Sequence, residues 1–241
     1  MNGFRRFWYV VTCFFFPERC IFCNQTIEPL QLSCPDCRAA VSTVLPPICP
    51  FCGSNKKDCT CDKRRHAYDR VMAPFYYEES VKRGVHRLKK WDDPQAIRFF
   101  AAQIAAVVRR EVPDPTFDVV CFIPMTKSDW RKREYNQSKL LAEEVAKVFH
   151  LPLCDSLTKI YETKPQKRLD RCARSGNVLG VFDVDETFSA RSVLLIDDVV
   201  TTGATAHECA KMLKLYGAET VTVAAIAITP PLKKETSAVD S

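Results

Sequence analysis

The sequence predicts an α/β chain, a mostly parallel sheet covered by helices, with a small amino-terminal zinc-ribbon module. Three observations predict it. Apolar runs without polar alternation, at 117–123, 192–196 and 220–228, are separated by segments of helical periodicity, the order that buried parallel strands and their crossover helices require. Nine of the thirteen cysteines precede residue 62, at positions 13, 20, 23, 34, 37, 49, 52, 59 and 61. That clustering suits a metal site, whereas a disulfide scaffold would staple the whole chain. Hydrophobic residues make up 46% of 241, so the cysteine-poor remainder has room for its own core and a mainly disordered chain is excluded. Lys and Arg number 35 against 29 Asp and Glu, and the net charge of +6 is compatible with nucleotide, phosphate or nucleic-acid partners without selecting one.

At the amino terminus, Arg5 and Arg6 precede the apolar run 7–16, the charge-then-hydrophobic order of an export signal. The run is short, lacks a small-x-small cleavage site and leads directly into Pro17 and Cys20. It reads as a short aromatic helix packed on the main body, with Cys13 as buried filler, because a membrane span needs about 20 apolar residues. No membrane span and a reducing, cytoplasmic location are therefore expected.

Cys20-Ile-Phe-Cys23 and Cys34-Pro-Asp-Cys37 are knuckle-type pairs ten residues apart, the spacing that brings four thiolates around one tetrahedral zinc. Cys49-Pro-Phe-Cys52-Gly53 repeats the knuckle, and Cys59-Thr-Cys61 can complete a second, less regular site whose last pair is one residue short. His66 is a replacement ligand to consider there. A four-cysteine site is coordinatively closed, so its zinc supplies folding energy and not chemistry. Lys56, Lys57, Lys63, Arg64 and Arg65 leave open a second use of the ribbon, as a docking surface for nucleic acid or protein.

The remaining elements follow in order. Residues 71–77 read as a strand, and 78–90 as a helix with Val81, Val85 and Leu88 on one side and Lys82, Arg83, Arg87, Lys89 and Lys90 elsewhere. Asp93 is placed to cap the next helix and Pro94 to start it. Ile97, Phe100, Ala101, Ile104 and Val108 carry its apolar face as far as Pro113. The strand at 117–123 ends at Pro124, and Leu140, Leu141, Val145 and Val148 mark a helix at 137–149. Residues 157–181 show little periodicity and much basic charge, so they read as a loop. A buried strand at 192–196, a helix at 204–216 stopped by Gly217, and a β-branched strand at 220–228 complete the fold, and 232–241 read as a disordered tail. The expected division is 1–66 for the amino-terminal helix and ribbon, and 67–231 for the α/β domain.

The chemistry is carried by Val193-Leu-Leu-Ile-Asp-Asp-Val-Val-Thr-Thr-Gly-Ala-Thr205, in which an apolar strand delivers two acids and a hydroxyl-rich loop opens a helix. Thr201, Thr202 and Thr205 can donate hydroxyl hydrogen bonds, Gly203 permits close approach, and the loop and helix amides suit a phosphate monoester. Asp197 and Asp198 can accept from ribose hydroxyls or organise magnesium. A cap at Asp-Asp followed by an ordinary connection is the alternative. There is no Gly-Lys-Ser/Thr of a nucleotide-hydrolysing P-loop and no dinucleotide glycine pattern, so ATP hydrolysis and hydride transfer are excluded.

The run from Asp197 to Thr205 resembles the ribose-phosphate motif of type I phosphoribosyltransferases, and the whole arrangement resembles the competence protein F (ComF) family, which adds a cysteine-rich ribbon. Ile123-Pro-Met125 with Arg131-Lys-Arg-Glu-Tyr-Asn-Gln137 is similar to that family's Val-Pro and Arg-Gly-Phe-Asn-Gln segments, with Glu134 and Tyr135 replacing glycine and phenylalanine. The stretch from Thr163 to Arg171, with Arg174, Asn177 and Phe182, is similar to its active-site loop. The resemblance implies that Asp197 and Asp198 engage the ribose of magnesium-bound phosphoribosyl pyrophosphate and that Val199, Val200, Thr201, Thr202, Gly203, Ala204 and Thr205 hold its 5-phosphate. For transfer, Asp197, Asp198, Arg133 and Arg171 are the expected catalytic group, with Lys127 or Arg133 neutralising pyrophosphate. The resemblance also implies a role in natural transformation, with single-stranded DNA and a competence helicase or recombination-mediator protein as partners. Two alternatives stay open: a magnesium-dependent phosphoribosyltransferase with an unidentified acceptor, and a noncatalytic ribose-phosphate or nucleotide sensor.

Overall fold

The computed structural model describes residues 17–61, 66–90, 93–113, 116–125, 135–159 and 181–231. The expected amino-terminal helix with Cys13, the basic residues Lys63, Arg64 and Arg65, Lys127, Arg133, Arg171 and the tail lie outside them. The elements are α1 (Pro35–Ala39), β1 (Arg70–Met72), β2 (Phe75–Tyr76), α2 (Glu79–Leu88), α3 (Pro94–Glu111), β3 (Val119–Phe122), α4 (Gln137–Phe149), β4 (Leu153–Cys154), β5 (Leu157–Lys159), β6 (Phe182–Val184), β7 (Ser192–Val200), α5 (Ala204–Leu215) and β8 (Thr220–Ile228).

The main sheet has the order β1-β8-β7-β3-β4, with β2 also on β8, and every pairing in it is parallel. Val193, Leu194, Leu195 and Ile196 of β7 and Val223 through Ile228 of β8 are buried. This is why these strands read as unbroken apolar runs: helices cover both faces, and neither face needs polar residues. The predicted strand at 71–77 is corrected to two pieces. Pro74 cannot donate to a ladder, and its carbonyl instead accepts from Val44 N at 2.9 Å.

The ribbon is stitched to that edge. Tyr76 N donates to Ser42 O at 2.8 Å, Val71 N to Pro50 O at 3.0 Å, and Thr43 bridges Phe75. Ile21, Phe22 and Val44 are buried in the same apolar cluster as Val85, Phe100 and Ile104, and the Phe22 and Phe100 rings meet edge-on at 5.9 Å. Ribbon and sheet therefore share one core.

Helix starts agree with their caps. Asp93 accepts from Gln95 N and Ala96 N at α3, with Pro94 in the first turn, and Asn136 accepts from Ser138 N and Lys139 N at α4. The predicted loop at 157–181 is corrected at its start, where Leu157–Lys159 form β5 and pair antiparallel with β6, setting Lys159 opposite Phe182; its residues 160–180 lie outside those described. Strands this short give no periodic signal. Among the described residues no helix is long and apolar enough to cross a membrane.

Candidate functional site

Both cysteine sets converge. The sulfurs of Cys20, Cys23, Cys34 and Cys37 lie within 4.8 Å of one another, and so do those of Cys49, Cys52, Cys59 and Cys61. A tetrahedron with zinc–sulfur bonds of about 2.3 Å has edges of about 3.8 Å. Cys23 and Cys34 stand 3.7 Å apart, Cys49 and Cys61 3.8 Å, and Cys52 and Cys59 3.5 Å. Both sets thus fit a structural zinc, the short Cys59-Thr-Cys61 pair included, with its own sulfurs 3.3 Å apart. His66 is not among these ligands; it stacks on Tyr68 with ring centroids 4.6 Å apart.

The strand that brings the acids is longer than the sequence reading placed it. Asp197 through Val200 stay in β7, and Val199 and Val200 face Ala227 and Ile228 across the ladder. The β-branched pair continues the extended backbone, so the turn contracts to Thr201, Thr202 and Gly203, and Ala204 and Thr205 already belong to α5. Gly203 takes φ +74 as the N-cap, and Ala204 N donates to Thr202 Oγ1 at 3.3 Å.

The two acids differ in their partners. Asp198 Oδ1 accepts from Val199 N at 2.7 Å, while Oδ2 meets Lys89 Nζ at 2.8 Å, both side chains being mostly buried. Asp197 Oδ1 accepts from Asp198 N at 2.8 Å and from Ser138 Oγ at 3.2 Å. Its partners are neutral, and burial followed by the adjacent Asp198 charge pushes its carboxyl up to about 8. Ser138 reaches it because Asn136, besides capping α4, donates Nδ2 to Ile123 O at 3.1 Å and so pins the helix start beside the end of β3.

The turn opens on a cavity of about 600 Å³. Its walls are Thr201, Thr202 and Gly203 on one side, Cys52 and Cys61 of the second metal set on another, and His66, Tyr68 and His207 between them. His207 Nδ1 accepts from Ala67 N at 2.8 Å, which leaves Nε2 as the ring's protonated nitrogen when the imidazole is neutral. Asp197 and Asp198 are not on this lining. The structure therefore places the acids and the turn at one strand end but presents them to different surroundings. Ser138, Lys89, Tyr68 and His207 were missed by sequence reasoning, because each comes from a distant segment and only tertiary contact identifies it.

Gly203 makes the turn's closeness testable. A Cβ there would lie 2.5 Å from Tyr68 Oη, on a backbone with φ +74. Gly203→Ala is expected to lose roughly 1–3 kcal/mol of stability in urea denaturation. An unchanged midpoint would show that Tyr68 does not press on the turn.

Comparison with known proteins follows the same lines. The chain is 26% identical over 200 residues to competence protein ComFC of Bacillus subtilis, covering 78% of this chain and 80% of that protein. It is 26% identical over 224 residues to competence protein F of Haemophilus influenzae, covering 87% and 96%. With the DNA utilization protein YhgH of Salmonella typhi it shares 29% over 224 residues, covering 86% and 95%. The resemblance to the competence protein F family extends over most of the chain. No protein-family model matches it. Solved structures similar to it include an allosteric regulatory enzyme of purine biosynthesis, at TM-score 0.42 and 18% identity, and an adenine phosphoribosyltransferase from Thermoanaerobacter pseudethanolicus, at 0.34 and 15%. They cover 59% and 54% of this chain; the chain spans 30% of the first and 68% of the second.

Proposed function

We propose that this chain binds phosphoribosyl pyrophosphate, or a related ribose phosphate, at the carboxyl end of β7, and that it does so in DNA uptake, with single-stranded DNA as a further ligand. The observation that carries the ligand reading is the pairing of two acids with the Thr201–Gly203 turn at the end of the long inner strand of a parallel sheet. Ligands of open parallel sheets sit beyond the carboxyl ends of the strands. Asp197 and Asp198 accept from ribose hydroxyls, and magnesium would be carried on the pyrophosphate. The amides at the start of α5 and the hydroxyls of Thr201 and Thr202 suit the 5-phosphate. The biological setting rests on relatives that bear the names competence protein and DNA utilization protein, and a cytoplasmic location with helicase or recombination-mediator partners belongs to the same reading.

Calorimetric titration of the zinc-loaded protein with phosphoribosyl pyrophosphate and magnesium tests it, followed by assay of the mixture for released pyrophosphate. Saturable binding is expected. Release would add transfer or hydrolysis to the function, whereas binding without release fits a sensor. No binding by folded, metal-replete protein overturns the ligand reading. A separate titration with single-stranded DNA should weaken steeply with salt, since phosphate contacts displace condensed counterions.

A further inference from the structure

The charged contact at the two acids comes from an unexpected direction. Lys89 immediately follows α2, and α2 is braced on the first cysteine set along its length. Arg83 Nη2 donates to Cys37 Sγ at 3.5 Å and to Ser80 Oγ at 2.9 Å. Arg87 donates Nη1 to Cys20 O and pairs through Nη2 with Asp93 at 3.3 Å. Between them, Gly84 lets the helix close on the ribbon, where a Cβ would lie 2.9 Å from a Phe22 ring carbon. At the far end, Tyr135 Oη donates to Leu88 O at 2.9 Å, a bond that a phenylalanine at this position would lack. Lys89 is thus held from both sides where its ammonium meets Asp198 at 2.8 Å.

We propose that Lys89 is a positioning residue of the ribose-phosphate site, a cation delivered by α2 from the first cysteine set to hold the Asp198 carboxylate. The role rests on the ligand reading above. Two adjacent acids on one strand repel, and a bound sugar needs at least one of them charged and oriented. Lys89 on Oδ2 and the Val199 amide on Oδ1 fix both oxygens of Asp198, yet a carboxylate oxygen has two lone pairs, so each keeps one for a ribose hydroxyl. The contact orients the carboxylate without blocking it.

The test uses the full chain with zinc bound and two readouts. With ribose 5-phosphate as probe, Lys89→Met is expected to weaken binding about tenfold or more while the chain still folds with its zinc content kept, and Lys89→Arg, which keeps the charge, to restore most of it. Independently, acylation of each lysine by an active ester, followed by mass spectrometry, should find Lys89 slow beside the exposed Lys82 in the unliganded wild type. Asp198→Asn should accelerate Lys89 several-fold and leave Lys82 unchanged, a response that a lysine with a merely structural role elsewhere would not give. Unchanged affinity in Lys89→Met beside a binding wild type overturns the role, as does Lys89 acylation that ignores Asp198→Asn. A wild type that does not bind the probe removes the ligand reading, and with it any role of Lys89 toward that ligand, while the acylation result still decides the contact.

Discussion

Replacing Asp197 and Asp198 together with asparagine is expected to reduce phosphoribosyl pyrophosphate binding at least a hundredfold, while zinc content stays at the wild-type value. The expectation comes from what asparagine keeps and loses. The shape survives, and Oδ1 can still accept the amide bonds from Asp198 N and Val199 N. The side-chain amide donates where the Asp198 carboxylate only accepts, so hydrogen bonds to ribose hydroxyls lose their charged acceptor. Lys89, mostly buried, would be left without its counter-charge, a cost that falls on the stability of the fold and not on the metal sets. Both metal sets are built from other segments and should be indifferent to the change. Titration calorimetry with zinc analysis checks both halves, and persistence of sugar binding would sink the site assignment.

The single variant Asp197→Asn carries a pH signature of its own, measurable without ligand or magnesium. Asp197 is raised from the ordinary value of about 3.9 to about 8 by burial and then by its charged neighbour. For an acid raised in the native state, the native protein holds the proton while the unfolded chain has released it. Stability is then lost as pH rises between those two values. Asparagine removes that loss. Asp197→Asn should therefore gain in melting temperature relative to wild type as pH moves from about 4 to about 8, and parallel curves across that window would show that Asp197 is not enclosed as described.

Much of this architecture was legible because its causes are local. The bounds of α4 and β8 are as predicted, since a capping Asn136 and an uninterrupted β-branched run leave the backbone one good choice each. Asp93 and Pro94 announced α3 for the same reason. The failures also have physical causes. Pro74 broke a strand that apolar content alone made continuous, and Val199 and Val200 extended one that the two acids had seemed to end. At the site, the sequence motif located the two acids and the turn, but not their neighbours. Lys89 was one of five basic residues placed off the apolar side of its helix, and Tyr68 was not singled out at all; what distinguishes them is contact with Asp198 and with Gly203, over separations along the chain that no motif spans.

Cys37→Ser is expected to halve the metal content, from two zinc ions per chain to one, and to lower the yield of folded protein sharply. A structural zinc in small peptides contributes on the order of 10–16 kcal/mol of apparent binding free energy, comparable to the roughly 5–15 kcal/mol that keeps a whole domain folded. Losing one of four thiolates at a closed site forfeits much of that, since a serine hydroxyl is a poor substitute at neutral pH. The damage should spread beyond the ribbon, because Ile21 and Phe22 lie in the same core as Phe100, and because Cys37 Sγ receives Arg83 at 3.5 Å. Cys61→Ser should cost one zinc as well, but its set borders the cavity at Thr201–Gly203, so its signature is altered ribose-phosphate binding in whatever protein still folds. Metal analysis of both purified variants decides the matter. Two zinc ions retained in Cys37→Ser would refute the first set as a metal site, and an unaltered binding isotherm in folded Cys61→Ser would show that the second set and the turn do not communicate.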